Sequence, residues 1–154
     1  MTPLYFEDFE IGSEYVTRSR TITEADVVAF AGLSGDFNPL HIDEEFAKNT
    51  IFGTRIAHGL LGLSVASGLI NQLGIGEGTV IAFLGLTWNF KGVIRFGDTI
   101  TVNERVAEKR ETSKNDRGIL RMAIMVLNQH GDVVQDGEHV LMVKRRNSKD
   151  VSKG

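Results

Sequence analysis

Between Ala57 and Gly76 the chain runs for twenty residues without an Asp, Glu, Lys or Arg. That length would cross a bilayer, but His58, Ser64, Ser67, Asn71, Gln72 and five glycines make the segment too polar and too broken for lipid. Inside a water-soluble protein, a helix apolar all round has to be covered on most sides. In a chain of 154 residues, only a sheet curled around the helix is large enough to cover it. Gly59, Gly62 and Gly68, with Ser64 and Ser67, cost helix propensity but let strands approach the helix backbone closely.

After this segment the pattern changes to period two. Ile100, Val102, Glu104 and Val106 alternate with Thr101, Asn103 and Arg105, and Leu120, Met122, Ile124 and Val126 alternate with Arg121, Ala123 and Met125. Val80 to Phe90 and Val133 to Lys144 read as two further strands. Turns are expected at Gly92 to Asp98, Thr112 to Gly118 and His130 to Asp132, which makes the four an antiparallel meander. Before the helix, Tyr15 to Ile22 reads as a strand. Thr23 to Leu33 reads as a helix opened by Thr23 with Asp26 three residues on, close to a capping box. A short helix follows Asp43. The order predicts an α+β domain, a long helix lying in a curved antiparallel sheet, which is the hot-dog architecture.

Composition narrows the partners. The chain is 42% hydrophobic and 24% charged, with a net charge of -3, so neither a nucleic-acid groove nor an anionic membrane surface is expected as partner. The absence of cysteine removes disulfides, thiolate metal sites and a cysteine nucleophile, and fits a cytoplasmic location. Met1 to Glu10 carries three acids and no basic region, unlike a signal peptide. One domain over residues 1–144 is expected, followed by a polar tail, residues 145–154, that frays and binds nothing.

Chemistry concentrates in Ser34-Gly35-Asp36-Phe37-Asn38-Pro39-Leu40-His41-Ile42-Asp43. Pro39 fixes its own φ and pushes Asn38 out of helical conformation, so the segment turns in a restricted way that can aim Asp36 and His41 at one point. Asp43 is suited to cap the next helix, with Glu44 and Glu45 in its first turn. An arbitrary Asp and His five residues apart would be only a turn-former and a loop residue.

The string Phe30-x-x-x-Ser34-Gly35-Asp36-x-Asn38-Pro39-Leu40-His41-x-Asp43 resembles the signature of the MaoC-like, (R)-specific enoyl-CoA hydratases. The resemblance continues through Phe52-Gly53-x-x-Ile56-Ala57-His58-Gly59, Phe90 and Gly97-Asp98-Thr99, with Val93 where that family usually has a proline. It implies an (R)-specific enoyl-CoA hydratase or 3-hydroxyacyl-CoA dehydratase, with a CoA or acyl-carrier-protein thioester as substrate. Asp36 and His41 would hold the catalytic water, their division of labour left open. The glycine of the His-Gly pair, Gly59, would give its N–H to the thioester carbonyl, with Ser67 near the water-binding carboxylate. Asn38 joins Gly59 and Ser67 as a candidate substrate-binding residue. His58 is expected to be a packed, hydrogen-bonded histidine. A homodimer is expected, because a curved sheet that covers a helix on one face leaves edges and apolar surface to bury, and no cofactor is expected.

Other patterns carry less. Gly74-Ile75-Gly76-Glu77-Gly78 lacks dinucleotide-fingerprint spacing, and no histidine pair shows the i, i+4 spacing of a helical zinc site, so no metal is expected. Lys91 and Arg95 flank a turn where they either meet coenzyme A phosphates or are solvated surface. Two alternatives stay open: a hot-dog thioesterase, with Asp36 as base, and a non-catalytic acyl-thioester-binding or regulatory domain.

Overall fold

A computed structural model describes residues 1–146. The elements are two short strands, β1 (Glu14–Val16) and β2 (Arg20–Thr21), then helices α1 (Glu24–Ser34), α2 (Pro39–Ile42), α3 (Glu44–Ala47) and α4 (Gly59–Asn71). Four long strands follow: β3 (Val80–Phe90), β4 (Thr99–Glu111), β5 (Arg117–Leu127) and β6 (Val133–Lys144). The fold is the expected hot-dog, an antiparallel sheet with one principal helix across its inner face.

The expected strand at Tyr15 to Ile22 is divided. β1 and β2 both pair with β4, but their registers differ by one residue, and Thr17 sits between them with its Oγ1 accepting from Val102 N at 3.0 Å. The capping box of α1 forms as read, with Asp26 N donating to Thr23 Oγ1 and Thr23 N donating to Asp26 Oδ2.

The simple meander is corrected by the sheet order β1-β4-β5-β6-β3. β3 does not turn back onto β4; it lies at the far edge beside β6. The connection from Lys91 to Asp98 is eight residues long and reaches about 26 Å when extended. Three strand spacings, about 14 Å, are therefore within its span. Lys91 N and Gly92 N both donate to Val134 O on β6, Ala57 N donates to Ile94 O, and Gly97 N donates to Ile22 O. The segment is thus a strap across the N-terminal end of α4 and not a hairpin turn. Gly97 takes φ +89, which the strap needs to re-enter β4.

The core lies between α4 and the sheet, where Leu61, Val65, Ala66 and Leu69 pack on Ile100, Val102, Ile124 and Val126. Burial of each large side chain here contributes roughly 1.5–3 kcal/mol. The helix is shorter than its uncharged segment, and the sheet covers one face of it rather than most sides. Leu60, Ser64, Ser67, Gly68 and Asn71 are exposed. Close approach holds for two of the three glycines: a Cβ on Gly62 would overlap Gln135 Nε2 and meet Ile94 Cδ1 at 2.7 Å, and one on Gly59 would meet the Phe90 ring at 2.7 Å. Gly68 faces open space.

The tail departs from expectation at its start. Arg145 pairs with Glu7 and Glu111, and Arg146 grips Asp8 at 2.6 and 2.8 Å while lying over the Tyr5 ring. Two acids in the first turn of the chain hold these residues down. The expectation for residues 147–154 lies outside the described residues. No helix among the described residues is long and apolar enough to cross a membrane.

Candidate active site

The loop after α1 is built from one local bond to the next. Gly35 caps α1 in the left-handed conformation, φ +77, with its N–H donating to Ala31 O. Ser34 Oγ donates to Phe30 O and accepts from Asp36 N at 3.1 Å. Asp36 Oδ1 accepts from Asn38 N at 3.2 Å, and Asn38 Oδ1 accepts from Leu40 N at 3.0 Å, which opens α2 with Pro39 in its first turn. From Gly35 to His41 only a restricted turn is expected. The Asn-Pro pair in fact starts a single helical turn, and His41 stands on it. Asp43 caps α3 by accepting from Phe46 N, as expected.

Three side chains converge. His41 Nδ1 lies 2.7 Å from Ile56 O, and since a carbonyl can only accept, Nδ1 carries the hydrogen. Nε2 of His41 is then the free acceptor. The His41 ring stacks on His58 at 3.8 Å between centroids, and Phe30 packs against His58 from another direction at 4.9 Å. His58 Nε2 donates to the main-chain oxygen of Asp36 at 2.9 Å, which ties the N-cap of α4 to the loop. An Asp36 carboxylate oxygen and a ring nitrogen from each histidine lie within 4.8 Å of one another. His58 is buried, and its Nδ1 has no partner among the described residues, whereas Asp36 is exposed.

His58 is thus packed and hydrogen-bonded, and it also supports the ring of His41, which sequence reading did not foresee. The signal was available in His58-Gly59, since the residue capping the long helix must lie where that helix meets the loop. The same cluster bears on the expectation of no metal, which rested on spacing along a helix. Three donors from two separate segments meet here without any such spacing, a group that can hold a water or a cation.

Gly59 opens α4. Leu61 N and Gly62 N reach back to His58 O, so the amides of Gly59 and Leu60 are the first-turn N–H groups left over for a ligand. The Gly59 carbonyl accepts from Gln135 Nε2 at 2.9 Å, an anchor from the last strand that sequence did not signal. Ser67 is not joined to Asp36 by a hydrogen bond among the described residues; it lines a cavity further along α4. Asn38 spends its side-chain oxygen on the cap of α2, which leaves its NH2 for a ligand. Arg95 Nη1 donates to Phe52 O, and Lys91 lies 3.8 Å from Asp136. Asp98 accepts from Arg95 N and from Gln129, so the Gly97-Asp98 pair shapes the strap.

The model of the MaoC-like domain matches residues 8–125. A 3-hydroxybutyryl-CoA dehydratase of Methylorubrum extorquens is 37% identical over 148 residues, which cover 96% of this chain and 88% of that protein. Among solved structures, a monoamine oxidase regulatory protein from Archaeoglobus fulgidus aligns with a TM-score of 0.89 at 37% identity, covering 96% of this chain and 98% of that one. An R-hydratase from Pseudomonas aeruginosa, solved without ligand, aligns with a TM-score of 0.78 at 35% identity, covering 94% and 88%. With the family model matched over most of its length and these proteins aligned along nearly all of it, the chain belongs to the MaoC-like domain family.

Proposed function

We propose that the protein is a hydro-lyase that reversibly adds water across trans-2-enoyl-CoA to give (R)-3-hydroxyacyl-CoA. The observation that carries this reading is the convergence of Asp36 and His41 beside the free amides at the start of α4. A water between them gives one hydrogen to the Asp36 carboxylate and one to His41 Nε2, which turns an oxygen lone pair toward C3 of the substrate. As the C3–O bond forms, an O–H bond breaks and its proton passes to the pair, with Asp36 as base. The C2=C3 electrons move toward the thioester carbonyl, whose oxygen accepts from Gly59 N–H. Carbon-2 then takes the proton back and the enolate collapses. Donors of the Gly59 kind are worth about a hundred- to a thousandfold in rate. Asn38 and Ser67 are assigned to the substrate side of this site.

The test is loss of the enoyl-thioester absorbance with crotonyl-CoA, coupled to an (S)-specific 3-hydroxyacyl-CoA dehydrogenase and NAD. Hydration without NADH is expected; stoichiometric NADH overturns the assignment of face, and free coenzyme A in place of hydroxyacyl-CoA identifies a thioesterase. That the Archaeoglobus neighbour is named a regulatory protein favours a second reading, a regulatory domain, which here would bind acyl thioesters without turnover. Binding with no reaction at any chain length would establish it.

The reading includes a homodimer and a cytoplasmic location. Among the described residues β3 is an edge strand with one neighbour, and it exposes Val80, Ile81, Phe83, Leu84, Leu86 and Phe90. Such an edge invites a second copy. A monomeric mass at micromolar concentration with full activity would refute the dimer, and fractionation of cells tests the location.

A further inference from the structure

A cavity of about 530 Å3 lies between α4 and the inner face of the sheet, with apolar walls from Ile70, Phe83 and Met122 among others. Two charged-type side chains line it. Glu104 of β4 is 2% exposed and His139 of β6 is 6% exposed, and His139 Nε2 lies 2.7 Å from Glu104 Oε1. Glu104 stands in the inward row otherwise made by Ile100, Val102 and Val106, all fully buried. Phe83 meets the His139 ring edge to face at 5.6 Å.

Glu104 Oε2 is buried with no partner among the described residues. Whichever way the proton between Oε1 and Nε2 is shared, Oε2 is left an acceptor. An unsatisfied buried acceptor is costly, and a buried pair of this kind is commonly replaced by apolar residues without loss of stability. Packing therefore gives no account of it. Gln135 on the same inner face shows the contrast: its oxygen accepts from Trp88 Nε1 at 3.1 Å and its nitrogen donates to Gly59 O. Burial and then the charge of Glu104, its direct cross-strand neighbour, hold the Tyr15 phenol above its usual range.

The cavity connects to the chemistry through its own wall. Trp88 lines it, and Trp88, Gln135 and Gly59 form one hydrogen-bonded chain. Ser67, also on the wall, is eight residues along α4 from Gly59, about 12 Å at the helical rise. An acyl chain whose carbonyl sits at Gly59 and that runs along α4 to Ser67 enters the cavity that Glu104 and His139 also line.

We propose that this cavity receives the acyl chain of the thioester and that Glu104, oriented by His139, accepts a hydrogen bond from a hydroxyl group on the distal part of that chain. The proposal rests on the hydratase reading and narrows its substrate class to hydroxylated enoyl thioesters. A distal carboxylate is disfavoured, since it would set acceptor against acceptor. An ammonium is disfavoured by the apolar walls.

The experiment compares trans-2-enoyl-CoAs of graded length with their ω-hydroxy counterparts, on wild type and on Glu104→Met. Wild type is expected to favour the hydroxylated substrate at one length by about ten- to a hundredfold in kcat/KM, the worth of a hydrogen bond to a charged group. That ratio should collapse in Glu104→Met. Hydration of the plain substrates with no preference at any length overturns the proposal and leaves the hydratase reading intact; so does a preference that survives in Glu104→Met. If Glu104→Met does not fold, the wild-type ratio alone decides. If no enoyl-CoA is hydrated, the hydratase reading falls, and calorimetry with saturated acyl-CoA and ω-hydroxyacyl-CoA decides the cavity separately: tighter binding of the hydroxylated ligand supports it, equal binding overturns it.

Discussion

Gly62→Ala should destabilise the protein although alanine is the better helix former. Three effects compete. Replacing glycine inside a helix gains up to about 1 kcal/mol. The new methyl would overlap Gln135 Nε2 and press on Ile94 Cδ1 at 2.7 Å, both on buried residues, and overpacking of this kind costs about 1–3 kcal/mol. Moving the Gln135 amide breaks its bond to Gly59 O and strands a buried donor, for about another 1–3 kcal/mol. The net is a loss of about 1–5 kcal/mol. Gly32→Ala supplies the control, because Gly32 lies in exposed α1 with nothing near its Cβ position. It should gain a few tenths to about 1 kcal/mol. Urea unfolding at one fixed protein concentration, read as midpoint and slope, measures both. If Gly62→Ala is as stable as Gly32→Ala, the account of α4 as a helix held against Gln135 and the strap is wrong.

Asp36→Asn should fold normally and lose about a hundred- to ten-thousandfold in turnover with crotonyl-CoA, since the amide cannot take a proton from water; unchanged turnover removes Asp36 as base. Dialysis against a chelator should leave that turnover unchanged, and a loss restored by one added cation would assign the Asp36, His41 and His58 cluster to a metal. The Thr23 N–H bond, with Arg20 alongside, holds the Asp26 carboxyl below the usual carboxylate range. Its folded value lies under its unfolded one, so its contribution to stability is present above about pH 4 and is lost as pH falls through the folded value. Wild type should therefore be more stable than Asp26→Asn at neutral pH and converge with it in acid; a constant difference in urea midpoint across that range contradicts the capping role.

The parts of this molecule readable in advance were those decided within a few neighbours along the chain. Thr23 and Asp26, Asp43 with its helix, and the period-two runs over residues 100–106 and 120–126 are of this kind. The Asp36 to His41 segment was legible for the same reason, a proline and a glycine restricting seven residues. What escaped was decided across the chain. Alternation defines β3 and β4 as strands but does not say which strands pair, and the strap from Lys91 to Asp98 is long enough to pass over two others. The open face of α4 depends on how far the sheet curls, and the tie of Arg146 to Asp8 joins opposite ends of the sequence. The meeting of His58 with His41 required Ile56 to be held by the strap, a contact no local pattern encodes.

The place of β6 as the last strand sets a timetable for synthesis. β3 ends at Phe90, and its partner begins 43 residues later at Val133. At 5–20 residues per second the ribosome needs roughly two to nine seconds to supply it. Throughout that interval the nascent chain carries an apolar strand with neither edge paired, and α4 lacks the Gln135 anchor on Gly59. A ribosome stalled after β5 would thus display an apolar strand with both edges open and the carbonyl of Gly59 without its anchor, so one edge of β3 and the start of α4 are secured in the same step.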